Sequence, residues 1–349
     1  MSANLPSYQS KPRSDEQGAV LLTTLLIMSV MAIFAILMVE DILLAVKRTA
    51  HIESEAQANW YLGGADEYAE NFLGSIVAAD EPAQANAQLL SGVNASFPLE
   101  GGLMSIDIRD GSNCLSLGLL AQSGGAEIFD ILLETLGWNP RDAQAISGRL
   151  TDWVDEDEIP VPATGGEDFF YLGLPKPYRT ANTFFETVFE MRALGLFSEE
   201  EFQFLRPFIC AHIPNEGTPA APININTLTL AQAPLLATAL GSAEYLELAT
   251  RLITSRPANG WDNLEAFWAS PELGEELGEE FDQNDSFASL LLGIEPTHIW
   301  VDVIIAYLSI EKRAAFEYRL DGSNIVKTYR YFGDESHWPR AINLLEAQQ

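Results

Sequence analysis

Basic residues are scarce. The 349-residue chain carries 19 Lys and Arg against 50 Asp and Glu, a formal net charge of -31. Such a surface repels nucleic-acid phosphates and anionic headgroups, so its expected partners are proteins or cations and not nucleic acid. Cysteine is nearly absent. Cys114 and Cys210 allow one disulfide or two free thiols, and exclude a cysteine-rich scaffold or a four-cysteine zinc site. The four histidines (His51, His212, His298, His337) are scattered without metal-ligand spacing. There is no G-x-S-x-G and no Walker A motif, so no enzyme motif is present. A glycosidase-like carboxylate pair is the one enzymatic alternative that an acidic cluster leaves open. Apolar residues are plentiful: 47% of the chain, with seven Trp and 18 Phe, enough for a packed core and too many for an acidic disordered chain.

Charge is missing altogether from Ala19 to Val39, "AVLLTTLLIMSVMAIFAILMV", which also lacks Pro and Gly. At about 1.5 Å per residue this run makes a helix of roughly 30 Å, the thickness of a bilayer core. Lys11 and Arg13 precede it, which predicts a cytoplasmic leader and a translocated remainder. After Val39 the apolar positions Leu44, Ile52, Ala56, Trp60 and Tyr68 recur at helical spacing, predicting one helix of about 50 residues, apolar and then amphipathic.

Strand patterns are few and far apart. "LMSIDIRDGSNCLSL" alternates Leu103, Ser105, Asp107 and Arg109 with Met104, Ile106 and Ile108, before a turn at Asp110-Gly111. "ADEPAQANAQLLSGVNASFPLEGG" before it reads as a linker. The next strand-like runs are "HIWVDVIIAYLSI", "KRAAFEYRLDG" and "NIVKTYRYFG", near the C-terminus. Between lie about 170 residues of helical pattern. One early strand and three late ones predict an α+β fold: a small antiparallel sheet covered by the long helix, with a large all-α domain inserted into it. Sequential α and α+β domains are the alternative. The expected parts are a leader at 1–18, a membrane helix at 19–39, its continuation at 40–75, a β core from 76–122 and 296–349, and an α-helical insertion at 123–295.

Two features resemble known families. "SDEQG" followed by "AVLLTT" is similar to the signal of type IV pilins and type II secretion pseudopilins, in which a prepilin peptidase cuts after the Gly and methylates the new N-terminus. The resemblance places the cut between Gly18 and Ala19. The family's Glu at the fifth mature position is Thr23 here, a departure characteristic of the K-type minor pseudopilin. "LTDWVDEDEIPVPATGGEDFFYLGLPKPYRTANTFFETVFEMRAL" and "PININTLTLAQAPLLATAL" also resemble K-type sequences. What the resemblance implies is a non-enzymatic subunit of a type II secretion pseudopilus. It would be single-pass in the inner membrane, with its C-terminal domain periplasmic. At the fibre tip it would meet the I-type and J-type minor pseudopilins, and secreted substrates are a further possible contact. A single-span acidic periplasmic binding protein unrelated to pilins is the alternative. "PININTLTLAQAPLLATALGSAEYLELATRLITSR" is also similar to a helix-hairpin-helix unit, but "ALGSAEYLEL" lacks a paired-glycine hairpin and carries Glu244 and Glu247. Asn224 and Asn226 there are expected as turn and cap residues.

The densest acidic stretch, "DWVDEDEIPVPATGGEDFFYLGL", places seven carboxylates within seventeen residues and no Lys or Arg. Asp155, Asp157 and Glu158 precede "IPVPATGG", and Glu167 and Asp168 follow it. Pro160 and Pro162 stop the helix and Gly165 and Gly166 permit a turn back, which folds one set of oxygens over the other. Calcium takes six to eight oxygens in a flexible cage, zinc and copper want His or Cys, and magnesium keeps more water. These five acids are therefore candidate structural calcium ligands in a loop that is not an EF-hand, against the alternative of a solvated loop. The resemblance to K-type pseudopilins also implies calcium here. A Cys114–Cys210 bridge would tie the insertion to the sheet, worth roughly 4–5 kcal/mol in the chain-entropy model; two free thiols are the alternative.

Overall fold

The computed structural model describes residues 14–78, 82–213, 222–277, 287–322 and 324–333. Lys11, Arg13 and the last part of the β-core range, 334–349, fall outside the described residues. The chain divides into two compact units, Met1–Trp60 and Tyr61–Gln349. The first contains most of the helix α1 (Ser14–Ala78), whose apolar run reaches a mean hydropathy of 2.7 with none of that window buried. α1 is longer than the 50 residues expected: it begins at Ser14 and runs through Gly63, Gly64 and Gly74 to Ala78, where its buried face packs on the sheet.

The second unit is built on a sheet. β1 (Val93–Leu99) and β2 (Gly102–Asp110) form a hairpin that turns through Gly101, whose φ of 91° suits a residue without Cβ. β3 (Leu115–Ser116) pairs in parallel with β4 (Ile209–Cys210), and β5 (Ile223–Asn224) with β6 (Leu292–Gly293). β7 (His298–Tyr307), β8 (Ile310–Asp321) and β9 (Asn324–Phe332) complete a five-stranded antiparallel sheet in the order β1-β2-β7-β8-β9. Its register sets Ile106 opposite Val303 and Asp107 opposite Asp302.

Met104, Ile106 and Ile108 are buried, as their alternation predicts. Ile299, Val301, Val303 and Ile305 are fully buried beside them. The C-terminal turns of α1 cover this sheet, with Leu62, Ala65, Ala69 and Leu73 buried at helical spacing. Tyr61 meets Tyr307 at 5.5 Å between ring centroids, and Tyr68 meets Phe97 at 4.9 Å. Asp66 fixes the helix to the sheet by accepting from Tyr318, Lys327 and Arg330. Burial pushes its carboxyl up, but these partners outweigh that and hold it below the usual range.

The segment read as a linker is a correction. It contains α2 (Pro82–Ser91) and the edge strand β1. Pro98 concealed β1, since proline lacks the donor a central strand needs; at a sheet edge it is tolerated.

Between β2 and β7 the chain builds a separate helical core. α3 (Gly125–Thr135) and α4 (Pro140–Val154) bury Phe129, Leu132, Leu133, Leu150 and Trp153 against Leu235, Leu236 and Leu252. Pro140 stands in the first turn of α4 and the Asn139 side chain caps it. From Thr187 to Ile209 the helical pattern is realised as several short helices. Gly195 ends one with φ 64°, and Ser198 and Glu201 start the next with a capping box.

Candidate functional site

The acidic stretch begins inside α4 and ends at α5 (Asp168–Leu172). Asp152, in the last turn of α4, is fully buried. It accepts from the Val161 amide at 2.9 Å and the Gly166 amide at 2.6 Å, drawing the loop back over the helix end. A Cβ on Gly165 would lie 2.1 Å from Asp152 Oδ2 and 2.4 Å from the Val161 nitrogen, so only glycine fits that close approach. Below the loop, Trp153 packs on Tyr171 and Phe185, and the Asn182 amide donates to the Trp153 carbonyl at 3.0 Å.

This folding brings carboxylate oxygens of Asp152, Asp155 and Glu167 within 4.8 Å of one another. Burial, then the Asp152 and Asp157 charges, pushes the Asp155 carboxyl up to about 6. Burial, then Asp152, Asp155 and Asp157, pushes Glu167 up to about 7. Asp152 is also raised, by burial and by Asp157, against the two amides that favour its charge. Three buried or half-buried carboxylates repel one another here with no cation among the neighbours that shift them.

Of nine buried polar side-chain atoms without a hydrogen-bond partner among the described residues, seven belong to residues between Arg149 and Asn182. Asp155 Oδ1 and both Glu167 carboxylate oxygens are among them. Buried polar atoms are normally satisfied, so this concentration makes the loop the candidate site. The donor set is all oxygen and anionic, which fits a hard divalent cation.

The five acids expected as ligands divide. Asp155 and Glu167 are in the cluster. Asp157 acts on it electrostatically, but its Oδ1 accepts from the Ile159 amide at 2.7 Å and the side chain is exposed. Glu158 is exposed and outside the trio, because the chain leaves the helix end before Pro160. Asp168 is also outside: its Oδ1 accepts from the Thr180 amide and hydroxyl, both at 2.9 Å, and Arg179 lies 3.4 Å from its other oxygen. Asp152, not among the five expected acids, completes the trio. Its i, i+3 spacing to Asp155 on a helix end was the signal that both face the same way.

A second cluster lies where the insertion meets the sheet. Cys114 and Cys210 are joined by a disulfide, so the free-thiol alternative is set aside. Asn224 makes the expected turn, its Oδ1 accepting from the Asn226 amide at 3.1 Å and its carbonyl from the Thr227 amide at 3.1 Å, and both Asn224 and Asn226 are also buried linkers. Asn224 Nδ2 donates to Asp110 at 2.7 Å and to Asn86 at 2.8 Å, and Asn226 bonds the Trp261 amide and carbonyl. Gly18 and Ala19 lie in the first turns of α1, both exposed.

Family models described as type II secretion system (T2SS), protein K match residues 112–214 and 223–285. The chain is 34% identical to the type II secretion system protein K of Pectobacterium carotovorum subsp. carotovorum over 268 residues, 72% of this chain and 79% of that protein. It is 32% identical to that of Klebsiella pneumoniae, over 74% of this chain and 80% of the relative. In fold it is similar to a chain in the crystal structure of the GspK-GspI-GspJ complex from the enterotoxigenic Escherichia coli type 2 secretion system, with a TM-score of 0.69 at 24% identity, covering 82% of this chain and all of that one.

Proposed function

The chain belongs to the type II secretion system protein K family, the minor pseudopilins, and from that premise we propose that it is the calcium-stabilised tip subunit of the pseudopilus. Its work is assembly and not catalysis. The observation that carries the tip reading is the helical insertion between β2 and β7, which adds a second core to the pseudopilin sheet. A subunit enlarged in this way suits a position where no further subunit is stacked. The I-type and J-type minor pseudopilins are its proposed partners, in keeping with the complex named for the structural neighbour.

Thr23 supports the same reading. Its hydroxyl donates to the Val20 carbonyl at 2.9 Å within the helix, leaving no charge to be matched by a subunit ahead. The apolar run of α1 is the proposed anchor in the inner membrane, with the second unit in the periplasm, where a disulfide can form. Cleavage after Gly18 by prepilin peptidase would free Ala19 as the mature N-terminus. Asp152, Asp155 and Glu167 would hold the calcium, which would supply the positive charge their crowded oxygens lack.

Co-purification tests the placement: the mature chain should be recovered with the I-type and J-type subunits, and its recovery along the fibre body instead would overturn the tip reading. Gly18→Glu should leave the precursor uncut, and mature Ala19 termini in that variant, seen by mass spectrometry, would refute the cleavage site. Thr23→Glu should give no incorporation along the fibre body, since the insertion is unchanged.

A further inference from the structure

The Cys114–Cys210 disulfide has a histidine aimed at it. His212 Nδ1 lies 3.4 Å from Cys210 Sγ and 3.9 Å from Cys114 Sγ. The other ring nitrogen, Nε2, is 2.7 Å from Glu317 Oε1, and both side chains are buried. A carboxylate only accepts, so the ring proton sits on Nε2 and donates to Glu317. In the neutral ring Nδ1 then carries the lone pair, and it faces the two sulfurs. His298 stacks on the same ring, with centroids 3.7 Å apart and planes 9° from parallel, which fixes the imidazole orientation. The Ser116 hydroxyl donates to the His212 carbonyl at 2.7 Å and fixes the backbone.

We propose that Cys114 and Cys210 form a redox-exchange site in which His212, held by Glu317, is the base that takes the thiol proton. In the reduced chain Cys210 S–H passes its proton to His212 Nδ1. The resulting thiolate attacks one sulfur of an external disulfide, forming a mixed disulfide and releasing one external thiolate, which takes the proton from His212 Nδ1 and leaves that nitrogen free again. Cys114 then loses its proton to the same nitrogen and attacks Cys210 Sγ. The Cys114–Cys210 bond forms, the second external thiolate leaves with that proton, and the external disulfide has been reduced to two thiols. The reverse sequence reopens the bond. Thiolate, not thiol, is the nucleophile in each step, so a base facing both sulfurs serves both directions.

The charged surroundings favour the ion pair. Glu317 on β8 faces the imidazolium that forms. His298 on β7 is held below its ordinary value by burial, then by His212 and Arg319, so it stays neutral and does not compete for the proton. A small cavity reaches Cys210 between Phe189, Arg206, Trp300, Glu317 and Tyr331. The Tyr331 hydroxyl is pushed up by burial and by Glu317, and stays protonated. Arg206 adds a positive charge on the cavity wall, which also favours a thiolate at Cys210.

The test uses the full chain in detergent, reduced under anaerobic conditions, with thiolate absorbance near 240 nm followed against pH. The parent should show a thiolate forming about one pH unit or more below that of His212→Gln, with Glu317→Gln intermediate. Equal midpoints in parent and His212→Gln, with far-UV circular dichroism unchanged, overturn the proposal. If reduction itself unfolds the chain, disulfide closure during refolding with glutathione disulfide decides the matter. The parent should then close the bond several-fold faster than His212→Gln below pH 8, with the two rates converging above pH 9. Equal rates, or a constant ratio at every pH, would mean that His212 only packs against the bond.

Discussion

Two buried acidic centres in the second unit solve the same problem in opposite ways. At the junction of insertion and sheet, Asp110 accepts from the Ser112 amide at 2.8 Å, Asn224 Nδ2 at 2.7 Å and the Thr227 hydroxyl at 2.6 Å. Burial raises its carboxyl, and these donors oppose the rise. In the acidic loop Asp152 has its donors, but the oxygens of Glu167 and one of Asp155 have none. The junction is satisfied by protein groups alone, whereas the loop leaves carboxylate oxygens that no protein donor satisfies. A buried carboxylate therefore says little by itself; what satisfies its oxygens separates a fastening from a binding site.

The contrast is broken most directly at its satisfied end. Asp110→Ala removes the acceptor shared by the Ser112 amide, Asn224 Nδ2 and the Thr227 hydroxyl; Asn224 keeps Asn86 and Thr227 keeps the Asn224 carbonyl, and each lost bond costs about 1–3 kcal/mol. A total loss of about 3–5 kcal/mol is expected in urea unfolding, unaffected by calcium. A loss below about 1 kcal/mol would mean that the junction is not what holds the insertion to the sheet.

At the other end, Gly165→Ala drives a methyl group into Asp152 Oδ2 and the Val161 nitrogen. The backbone must give way, at about 1–3 kcal/mol by the usual cost of overpacking. Calcium affinity should fall as well, since the turn carries Glu167. Unchanged affinity by calorimetry would separate the turn from the site.

The pH dependence sharpens the comparison further. Folding raises Glu167 to about 7 and Asp155 to about 6, so the metal-free native state binds more protons than the unfolded chain between about pH 4 and 7. Metal-free stability should thus fall as pH rises through that window, with Tm several degrees higher at pH 5 than at pH 8. Saturating calcium should hold both groups ionised, and stability should then fall on acidification. Identical pH profiles with and without calcium would contradict the assignment.

The smallest effect is expected at Asp168. Asp168→Asn weakens its bonds to Thr180 and its pairing with Arg179, at about 1 kcal/mol of stability, and should leave calcium affinity within about twofold. A tenfold loss would return Asp168 to the ligand set.

Much of this was legible in the sequence because it depends on local pattern. The alternation through Ile106 and Ile108 gave β2 its inward face, and the uncharged run from Ala19 gave α1. The approach of Asp155 and Glu167 is legible because proline and glycine between them demand a return. Pairing that spans the chain was harder to read. β1 was hidden by Pro98, whose tolerance depends on an edge position that only the finished sheet defines. Asn224 is legible as a turn residue, but its further partners, Asp110 and Asn86, are more than a hundred positions away and leave no local sign. Composition counts acids without direction, so it does not separate Asp157, Glu158 and Asp168, which lie outside the trio, from Asp152, which lies at its centre. His212 was set aside as scattered, since nothing local reveals that Glu317 and two sulfurs converge on its ring.

The central claim is that the loop needs a divalent cation. Thermal melts of the full chain in detergent, with calcium, magnesium or chelator, test it against Asp155→Ala combined with Glu167→Ala. In the parent, calcium at a hundredfold excess over Kd should add about 2.7 kcal/mol and raise Tm well above both magnesium and chelator. The double variant should lose this response and melt at or slightly above the parent in chelator, because two repelling charges are gone. Equal melting temperatures of the parent with calcium and with chelator would contradict the account.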